Sequence, residues 1–225
     1  MSISWKKIVN SVHAQTGKFL IAVSGGVDSM LLLDVISKSN IDKSSYSVVH
    51  FDHGIRDESV EDAIFVKNKC DEYGIKCFVG LSRKLKGNNN LEKLAREARW
   101  SYFENVANIN GYDTVLTAHH LNDYVENYII GNIRGIDIKS CIMPKLWKNN
   151  NVFRFKPFLM DLSKEQIIKE ATRRKLEWKE DITNGDNHHL RNMVRNNIIP
   201  EMMKSHNVLV TIPNVIKTIE SGMYD

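Results

Sequence analysis

The chain has 225 residues, of which 42% are hydrophobic, and this is enough to build one substantial α/β core. No apolar run is long enough to span a membrane and no signal-peptide core follows the first residues, so we expect a cytoplasmic protein without a membrane partner. The net charge of +4 is small, and three scattered cysteines without a Cys-x-x-Cys pair argue for a reducing compartment and against a zinc knuckle or an iron–sulfur cluster.

Strands and helices alternate through the first 135 residues. The pattern predicts helices at 3–15, 30–40, 59–73, 91–109 and 119–130, with strands at 18–23, 45–51, 75–81 and 113–117. This alternation predicts an α/β fold with a Rossmann-like parallel sheet, five-stranded in type, and helices on both faces. We expect a catalytic domain at 1–135 and a smaller, helical C-terminal region at 136–225, which also holds a strand-like stretch at 152–159.

A glycine-containing turn joins the first strand to the next helix. Its six residues are Ser24, Gly25, Gly26, Val27, Asp28 and Ser29. Two adjacent glycines let the backbone approach a ligand closely, and the N–H groups at the start of the helix attract anions. The sequence matches neither a Walker loop nor Gly-x-Gly-x-x-Gly. A carboxylate at position 28 would repel phosphates unless a cation lay between them, so the turn predicts a phosphate site with Mg²⁺.

Two further turns carry polar residues after predicted strands. In the turn at 50–56, His53 and Arg56 are suited to phosphate binding; zinc is a weaker interpretation because further ligands are missing. In the turn at 117–123, His119 and Asp123 begin a helix. Since ligands bind beyond the carboxyl ends of parallel strands, we expect all three turns to meet at one site.

The helix at 91–109 places Glu92, Arg96 and Arg99 on one face. An ion-pair ladder at the surface is one interpretation. The other is a pair of arginines that bind phosphate from a rigid helix. The spacing alone leaves both open.

Basic residues are concentrated in the C-terminal half of the chain. Between Lys139 and Lys204 there are 14 Lys/Arg and 8 Asp/Glu, whereas the rest of the chain has 17 and 19. This distribution fits either a solvated basic face or a surface that binds a polyanion.

The ordered motifs resemble a known family. Ser-Gly-Gly-x-Asp-Ser after a strand resembles the PP-loop of ATP pyrophosphatases, and residues 50–56, 92–103 and 117–127 resemble successive motifs of the tRNA(Ile)-lysidine synthases. The second resembles His-x-x-His-Gly-Leu-Arg, with Ile55 in place of Leu. The third resembles Glu-x-x-x-Arg-x-x-Arg-Trp/Tyr-x-Phe, with Tyr102 at the last place and Phe103 directly after it. The fourth resembles Thr-Ala-His-His-x-x-Asp-x-x-Glu-Thr. Asn122 and Asn127 stand where the family commonly has Asp and Thr. The resemblance covers roughly residues 18–200.

The resemblance implies an adenine nucleotide hydrolase-like fold and a ligase that uses ATP to attach L-lysine to the wobble cytidine of an isoleucine tRNA with a CAU anticodon. It implies that residues 24–29, His53, Arg56 and Arg96 bind ATP, and that Asp28 and Asp123 hold Mg²⁺. Asp28, Arg99 and His119 would act in adenylation. Asp123 and Glu126 would form an acidic pocket for the lysine ammonium.

Later motifs imply contacts with the tRNA. The residues concerned are Arg134, Arg154, Lys156, Arg191 and Arg195. Lys156 stands where the family has Arg. Longer members carry further C-terminal domains, so discrimination among tRNAs is left open, as is a homodimer. Two alternatives remain: another PP-loop enzyme that modifies tRNA, such as a thiolase, or an ATP- and RNA-binding module with a decayed site.

Overall fold

One six-stranded sheet forms the centre of the molecule. The computed structural model describes residues 3–52, 54, 59–82, 91–180 and 190–221. The strands are β1 (Phe19–Ala22), β2 (Tyr46–Asp52), β3 (Cys77–Leu81), β4 (Thr114–Leu116), β5 (Leu146–Asn149) and β6 (Val152–Phe155). They lie in the order β3-β2-β1-β4-β6-β5; the first five are parallel, and β5 is antiparallel to β6. The predicted parallel sheet is confirmed. The sequence did not predict β5, which is largely exposed at the edge and has no apolar periodicity.

Ten α-helices surround the sheet in the described part of the chain. They are α1 (Trp5–Gln15), α2 (Val27–Ser37), α3 (Ser59–Tyr73), α4 (Leu91–Asn110), α5 (Leu121–Ile133), α6 (Ile138–Cys141), α7 (Lys164–Arg173), α8 (Leu190–Met193), α9 (Ile199–Met203) and α10 (Val208–Glu220). A five-residue π-helical segment, Val194–Ile198, joins α8 to α9. No described helix is both long and apolar enough to cross a bilayer.

The central strand β1 is buried on both of its faces. Ile21 packs with Leu31 of α2 in the larger apolar cluster, to which α1, α3 and α7 also contribute. Leu20 points the other way and packs with Phe103 of α4. Successive strand residues face opposite sides of a sheet, so a strand covered on both sides is apolar throughout. This is why the sequence could predict β1 and its layered surroundings.

Residues after 135 complete the same sheet and cover α5. The strands β5 and β6 extend the sheet beyond β4, and α7 packs against α2. Val194 and Val208 pack on Val125 of α5. The division expected at residue 135 therefore does not coincide with an edge of the sheet, although the helical character of the C-terminal region is confirmed.

The strand order places a crevice at the carboxyl ends of β1 and β4. From β1 the chain continues to β2 on one side, whereas β4 lies on the other side of β1. Open α/β sheets bind ligands at such a switch point, because the loops that follow the two strands diverge there. The turns at 24–29 and 117–123 follow these two strands.

Candidate active site

The turn after β1 has the conformation that its glycines allow. Gly25 has a φ of +94°, a region that side chains with a Cβ rarely adopt, and Gly26 is the N-cap of α2. The Ser29 hydroxyl accepts a hydrogen bond from the Ser24 N–H (3.1 Å) and donates one to the Gly26 carbonyl (3.0 Å). The Lys179 N–H donates to the Gly25 carbonyl (3.0 Å), so a later segment also holds the turn. These hydrogen bonds fix the turn so that the first residues of α2 face the crevice.

A cavity of about 610 Å³ lies above this turn. Its wall includes four residues of the turn, Ser24, Gly26, Asp28 and Ser29, and three that were predicted on other elements, Arg99, His119 and Asp123. The volume lies within the range typical of small-molecule sites. The structure therefore brings the first turn, the helix α4 and the turn after β4 to one site, as expected.

Further side chains that line this cavity lie within the motif stretches 50–56 and 92–103 but were not predicted as site residues. Trp100 and Phe103 of α4 contribute aromatic surface, and His50 and Asp52 contribute from β2. The His50 imidazole lies 2.7 Å from the Val23 carbonyl through Nδ1, while its buried Nε2 has no partner among the described residues. His53 and Arg56 lie outside the described residues.

Asp28 forms an ion pair that the sequence did not indicate. The Lys164 ammonium, at the start of α7, lies 2.7 and 2.8 Å from the two carboxylate oxygens of Asp28. The Lys164 N–H donates to Asn122 Oδ1 (2.9 Å), which ties α7 to the start of α5. The capping pair Ser163–Gln166 could locate this helix start, but nothing in the spacing says that Lys164 faces a residue 136 positions earlier.

Three ionisable side chains, His119, His120 and Asp123, lie at the start of α5, and His120 is close to Asp28. His120 is buried, and its Nε2 lies 3.4 Å from Asp123 and 3.6 Å from Asp28. The His120 N–H donates to Asp123 Oδ2 (3.0 Å). Burial opposes ionisation of Asp123, but the two imidazoles and this hydrogen bond outweigh it and hold the pKa of Asp123 below its usual value. Burial lowers the pKa of His119 to about 4, so its imidazole is neutral at pH 7.

Glu126 is fully covered and binds arginine rather than facing the cavity. Its side chain is 1% exposed, and Arg195 donates to both of its oxygens (2.7 and 2.9 Å). Arg191 lies 3.6 Å from Glu126, and Arg195 also lies 3.6 Å from Asp123. As placed, Asp123 and Glu126 do not form an open acidic pocket, because guanidinium groups already fill it. Arg191 and Arg195, both predicted to bind RNA, point towards these carboxylates in the structure.

The arginines of α4 are separated into two environments. Arg99 lines the cavity, and its buried Nε has no partner among the described residues. Burial, and then the nearby Arg96, lower the pKa of Arg99. Arg96 is exposed and lines a different cavity. A buried guanidinium without a described counter-ion is suited to an incoming anion.

The remaining basic residues predicted to bind RNA have different surroundings. Arg154 pairs with Glu104 (2.6 Å) and lies 3.7 Å from the centre of the Trp100 ring. Lys156 is buried and donates to the Pro144 carbonyl (2.8 Å); burial, then Arg154 and Arg96, lower its pKa to about 8. Arg134, after α5, is exposed. Among these three, only Arg134 is freely accessible to a polyanion.

Two carboxylates in the cavity, one from the turn and one from α5, are compatible with Mg²⁺. Asp28 and Asp123 both line the cavity, and Mg²⁺ is commonly held by one or two carboxylates together with substrate phosphates. No group of three or more potential metal-ligating side chains occurs within the described ranges. A protein-only cage is therefore not present there, and a metal shared with phosphate is the arrangement that this chemistry fits.

Comparison with known proteins shows the family to which the chain belongs. A PP-loop domain profile matches residues 1–202. A tRNA(Ile)-lysidine synthase from Staphylococcus aureus is 32% identical over 92% of this chain and 49% of its own length, and one from Pseudothermotoga lettingae is 32% identical over 82% and 42%. The chain thus spans about half the length of the curated relatives it matches.

Solved structures show the same fold at low sequence identity. The U34-tRNA thiolase NcsA from Methanococcus maripaludis, with its [4Fe-4S] cluster, has a TM-score of 0.76 at 17% identity and covers 96% of this chain and 76% of its own. An NH3-dependent NAD synthetase from Campylobacter jejuni has a TM-score of 0.54 at 14% identity, over 94% and 92%. On the match of its first 202 residues, the chain belongs to the PP-loop domain family.

Proposed function

We propose that this chain is the ATP-using part of a tRNA(Ile)-lysidine synthase. Its substrates would be ATP, L-lysine and an isoleucine tRNA with a CAU anticodon. The observation that carries the proposal is the buried Nε of Arg99, which has no partner among the described residues and lies in the cavity that the Ser24–Ser29 turn lines. The names of the curated relatives favour the lysidine reaction over a thiolase or a decayed module.

The reaction has two steps that the cavity would host. The cytidine O2 attacks the α-phosphate of ATP, the bond between the α and β phosphates breaks, and pyrophosphate leaves. The ε-amine of lysine, after losing a proton, then attacks C2, and AMP departs with the former O2. Adenylation is needed because the oxygen at C2 is a poor leaving group until it is joined to AMP.

The residues at the turn would bind the triphosphate. The backbone N–H groups and hydroxyls of Ser24–Ser29 would donate hydrogen bonds to the phosphates at the start of α2, and Arg99 would stabilise the negative charge that develops on the α-phosphate. Neutral His119 would donate or accept a hydrogen bond next to the reacting oxygen. His53 and Arg56 complete the phosphate site in this proposal, and Arg96 contacts RNA or phosphate.

Asp28 and Asp123 would hold Mg²⁺, whose charge would offset the repulsion between the carboxylates and the phosphates. Lys164 now binds both oxygens of Asp28. Its ammonium would therefore turn towards the departing pyrophosphate when the carboxylate takes up a cation. Asp28→Ala should abolish the release of pyrophosphate.

We propose that the lysine ammonium binds at Asp123 and Glu126. In the present arrangement Arg195 holds this place, so lysine binding requires the guanidinium to move away. Glu126→Gln should then raise the KM for lysine far more than the KM for ATP. A parallel loss in both constants would contradict a lysine site at this carboxylate. The basic residues of the later motifs remain proposed tRNA contacts, either by touching the tRNA or by positioning side chains that do; they are Arg134, Arg154, Lys156, Arg191 and Arg195.

The decisive test is mass spectrometry of tRNA nucleosides. Unmodified tRNA with a CAU anticodon is incubated with the protein, ATP and L-lysine, and the digested nucleosides are compared with those from an Asp28→Ala variant. We expect lysidine with the wild-type protein and unmodified cytidine with the variant. Unmodified cytidine in both reactions would overturn the proposal.

A further inference from the structure

A second cavity, of about 600 Å³, lies beside the first. It is formed by one side of α4 and by the β5–β6 hairpin. Trp100 lines both cavities, so the two spaces adjoin at this indole. Two of its lining residues, Arg96 and Arg154, are proposed phosphate or tRNA contacts, but the proposed reaction assigns no ligand group to the space itself.

The base of this cavity is a fixed polar network. Glu104 of α4 accepts hydrogen bonds from Arg154 (2.6 Å), Asn149 (2.7 Å) and Asn150 (3.2 Å), which ties the helix to the tip of the hairpin. Burial opposes ionisation of Glu104, but these three donors outweigh it and keep its pKa below the usual value. The negative charge of Glu104 is thus already neutralised and would not repel an anionic ligand.

An aromatic stack leads from the cavity to its outer edge: Trp100 and Arg154 line the cavity, and Trp147 lies next to it through its contact with Arg154. The Arg154 guanidinium lies 3.7 Å from the Trp100 ring centre and 4.9 Å from that of Trp147, its cross-strand neighbour on β5. The Trp147 side chain nevertheless remains 47% exposed. An indole that contacts a guanidinium and keeps about half of its surface exposed can stack on a planar group such as a base.

Several polar groups around the cavity have no partner within the described ranges. Among the side chains that the structure describes, which do not include that of Glu92, Arg96 forms no ion pair, and the exposed Asn105 and Asn108 amides form no side-chain hydrogen bonds. Lys93 and Glu97 are 3.9 Å apart and both largely exposed, so this pair contributes little. Within the described part of the chain, one guanidinium and two amides at this cavity are therefore available to a ligand, and the exposed Trp147 indole lies nearby.

We propose that this second cavity binds the nucleotide adjacent to the reacting cytidine in the single-stranded part of the RNA substrate. The inference rests on the proposed function, which places the cytidine in the first cavity. The indole of Trp147 stacks on the base, the Asn105 and Asn108 amides meet the polar edges of the base, and Arg96 contacts the phosphate. Base stacking with amide and guanidinium contacts is how proteins recognise single-stranded RNA.

The test measures RNA binding apart from catalysis. A fluorescent anticodon stem-loop RNA is titrated with the full chain, without ATP or lysine, at several salt concentrations. Trp147→Ala should weaken binding about tenfold, the loss expected when one stacked base is released, whereas Trp147→Phe should stay within about threefold of wild type. Arg96→Ala should reduce the salt dependence by about one phosphate contact.

Lys6→Ala is the matched control. It removes one exposed positive charge from α1, which packs on the opposite face of the sheet from α4. Asn108→Ala carries the test if Trp147→Ala fails to fold, as judged by its thermal transition. Binding of the Trp147, Arg96 and Asn108 variants that equals that of Lys6→Ala would overturn the inference.

The two proposals fail in different ways. If the wild-type chain makes lysidine but these variants bind RNA normally, only the inference about the second cavity is refuted. If the variants lose RNA binding as expected but no lysidine forms, the second cavity binds RNA and the proposed reaction is refuted.

Discussion

Arg195→Ala should destabilise the protein substantially, because it leaves the carboxylate of Glu126 buried without its main partner. Two hydrogen bonds of 2.7 and 2.9 Å join Arg195 to Glu126, whose side chain is 1% exposed. Breaking a buried ion pair typically costs about 3–5 kcal/mol. Since the Arg195 side chain is 37% exposed, water can replace part of the interaction, and we expect about 2–3 kcal/mol.

The assay is thermal or urea unfolding of the purified chain. For a protein of this size, 1 kcal/mol corresponds to about 2–4 °C in Tm, so Arg195→Ala should lower Tm by about 5–10 °C. The matched control is Lys204→Ala, which breaks a fully surface pair with Glu201 (both side chains 72% exposed) and should change stability by less than about 1 kcal/mol.

A double-mutant cycle isolates the interaction. If Arg195 acts through Glu126, Arg195→Ala in a Glu126→Gln background should cost clearly less than it does alone. Additive effects, or an Arg195→Ala variant as stable as Lys204→Ala, would refute the reasoning. The same variant bears on the lysine site: excess free lysine should raise the Tm of Arg195→Ala more than that of the wild type, because lysine can then reach the vacated carboxylate.

Three further predictions concern the first cavity. Gly25→Ala should lose about 1–2 kcal/mol in urea unfolding because Gly25 has a φ of +94°, whereas Gly26→Ala, with a φ of −73°, should be nearly neutral; equal losses would contradict the role of the turn conformation. Asn122→Ala should lose about 1 kcal/mol by the same measurement, because it removes the acceptor for the Lys164 N–H at the start of α7. Asn122→Asp should keep this stability, since its carboxylate still accepts the hydrogen bond, and an equal loss in both variants would show that the hydrogen bond is not the cause. The lowered pKa of His119, about 4, means that the unfolded chain binds its proton between pH 6.5 and 4 while the folded chain does not. As the pH is lowered from 6.5 to 4, the free energy of unfolding should therefore decrease by about 2–3 kcal/mol more in the wild type than in His119→Asn, and parallel pH profiles of the two proteins would contradict this.

The sequence predicted the structure best where the local pattern of glycine and apolar residues and the burial of a segment indicate the same element. The strand-to-helix turn at 24–29, the strand β1 and the helix α4 each follow from apolar patterning and glycine, and all lie where expected. The convergence of two crossover turns could be predicted because parallel strands carry their carboxyl ends to one edge.

Contacts between distant segments could not be predicted. Lys164 meets Asp28 across 136 positions and Arg195 meets Glu126 across 69, and no spacing rule relates such residues. The sequence correctly indicated charged residues near the site, but it did not show that these charges neutralise one another. Strand β5 was missed for a related reason, since an exposed edge strand depends on its partner rather than on its own pattern.

The most direct test of the central claim is the fate of ATP in the presence of L-lysine and CAU-anticodon tRNA. With ATP labelled at the α-phosphate to follow AMP, and in a parallel reaction at the γ-phosphate to follow pyrophosphate, we predict that both form in equal amounts to lysidine and that no AMP forms when the tRNA is omitted. Formation of ADP and inorganic phosphate instead, or AMP release that is independent of the tRNA, would contradict the account.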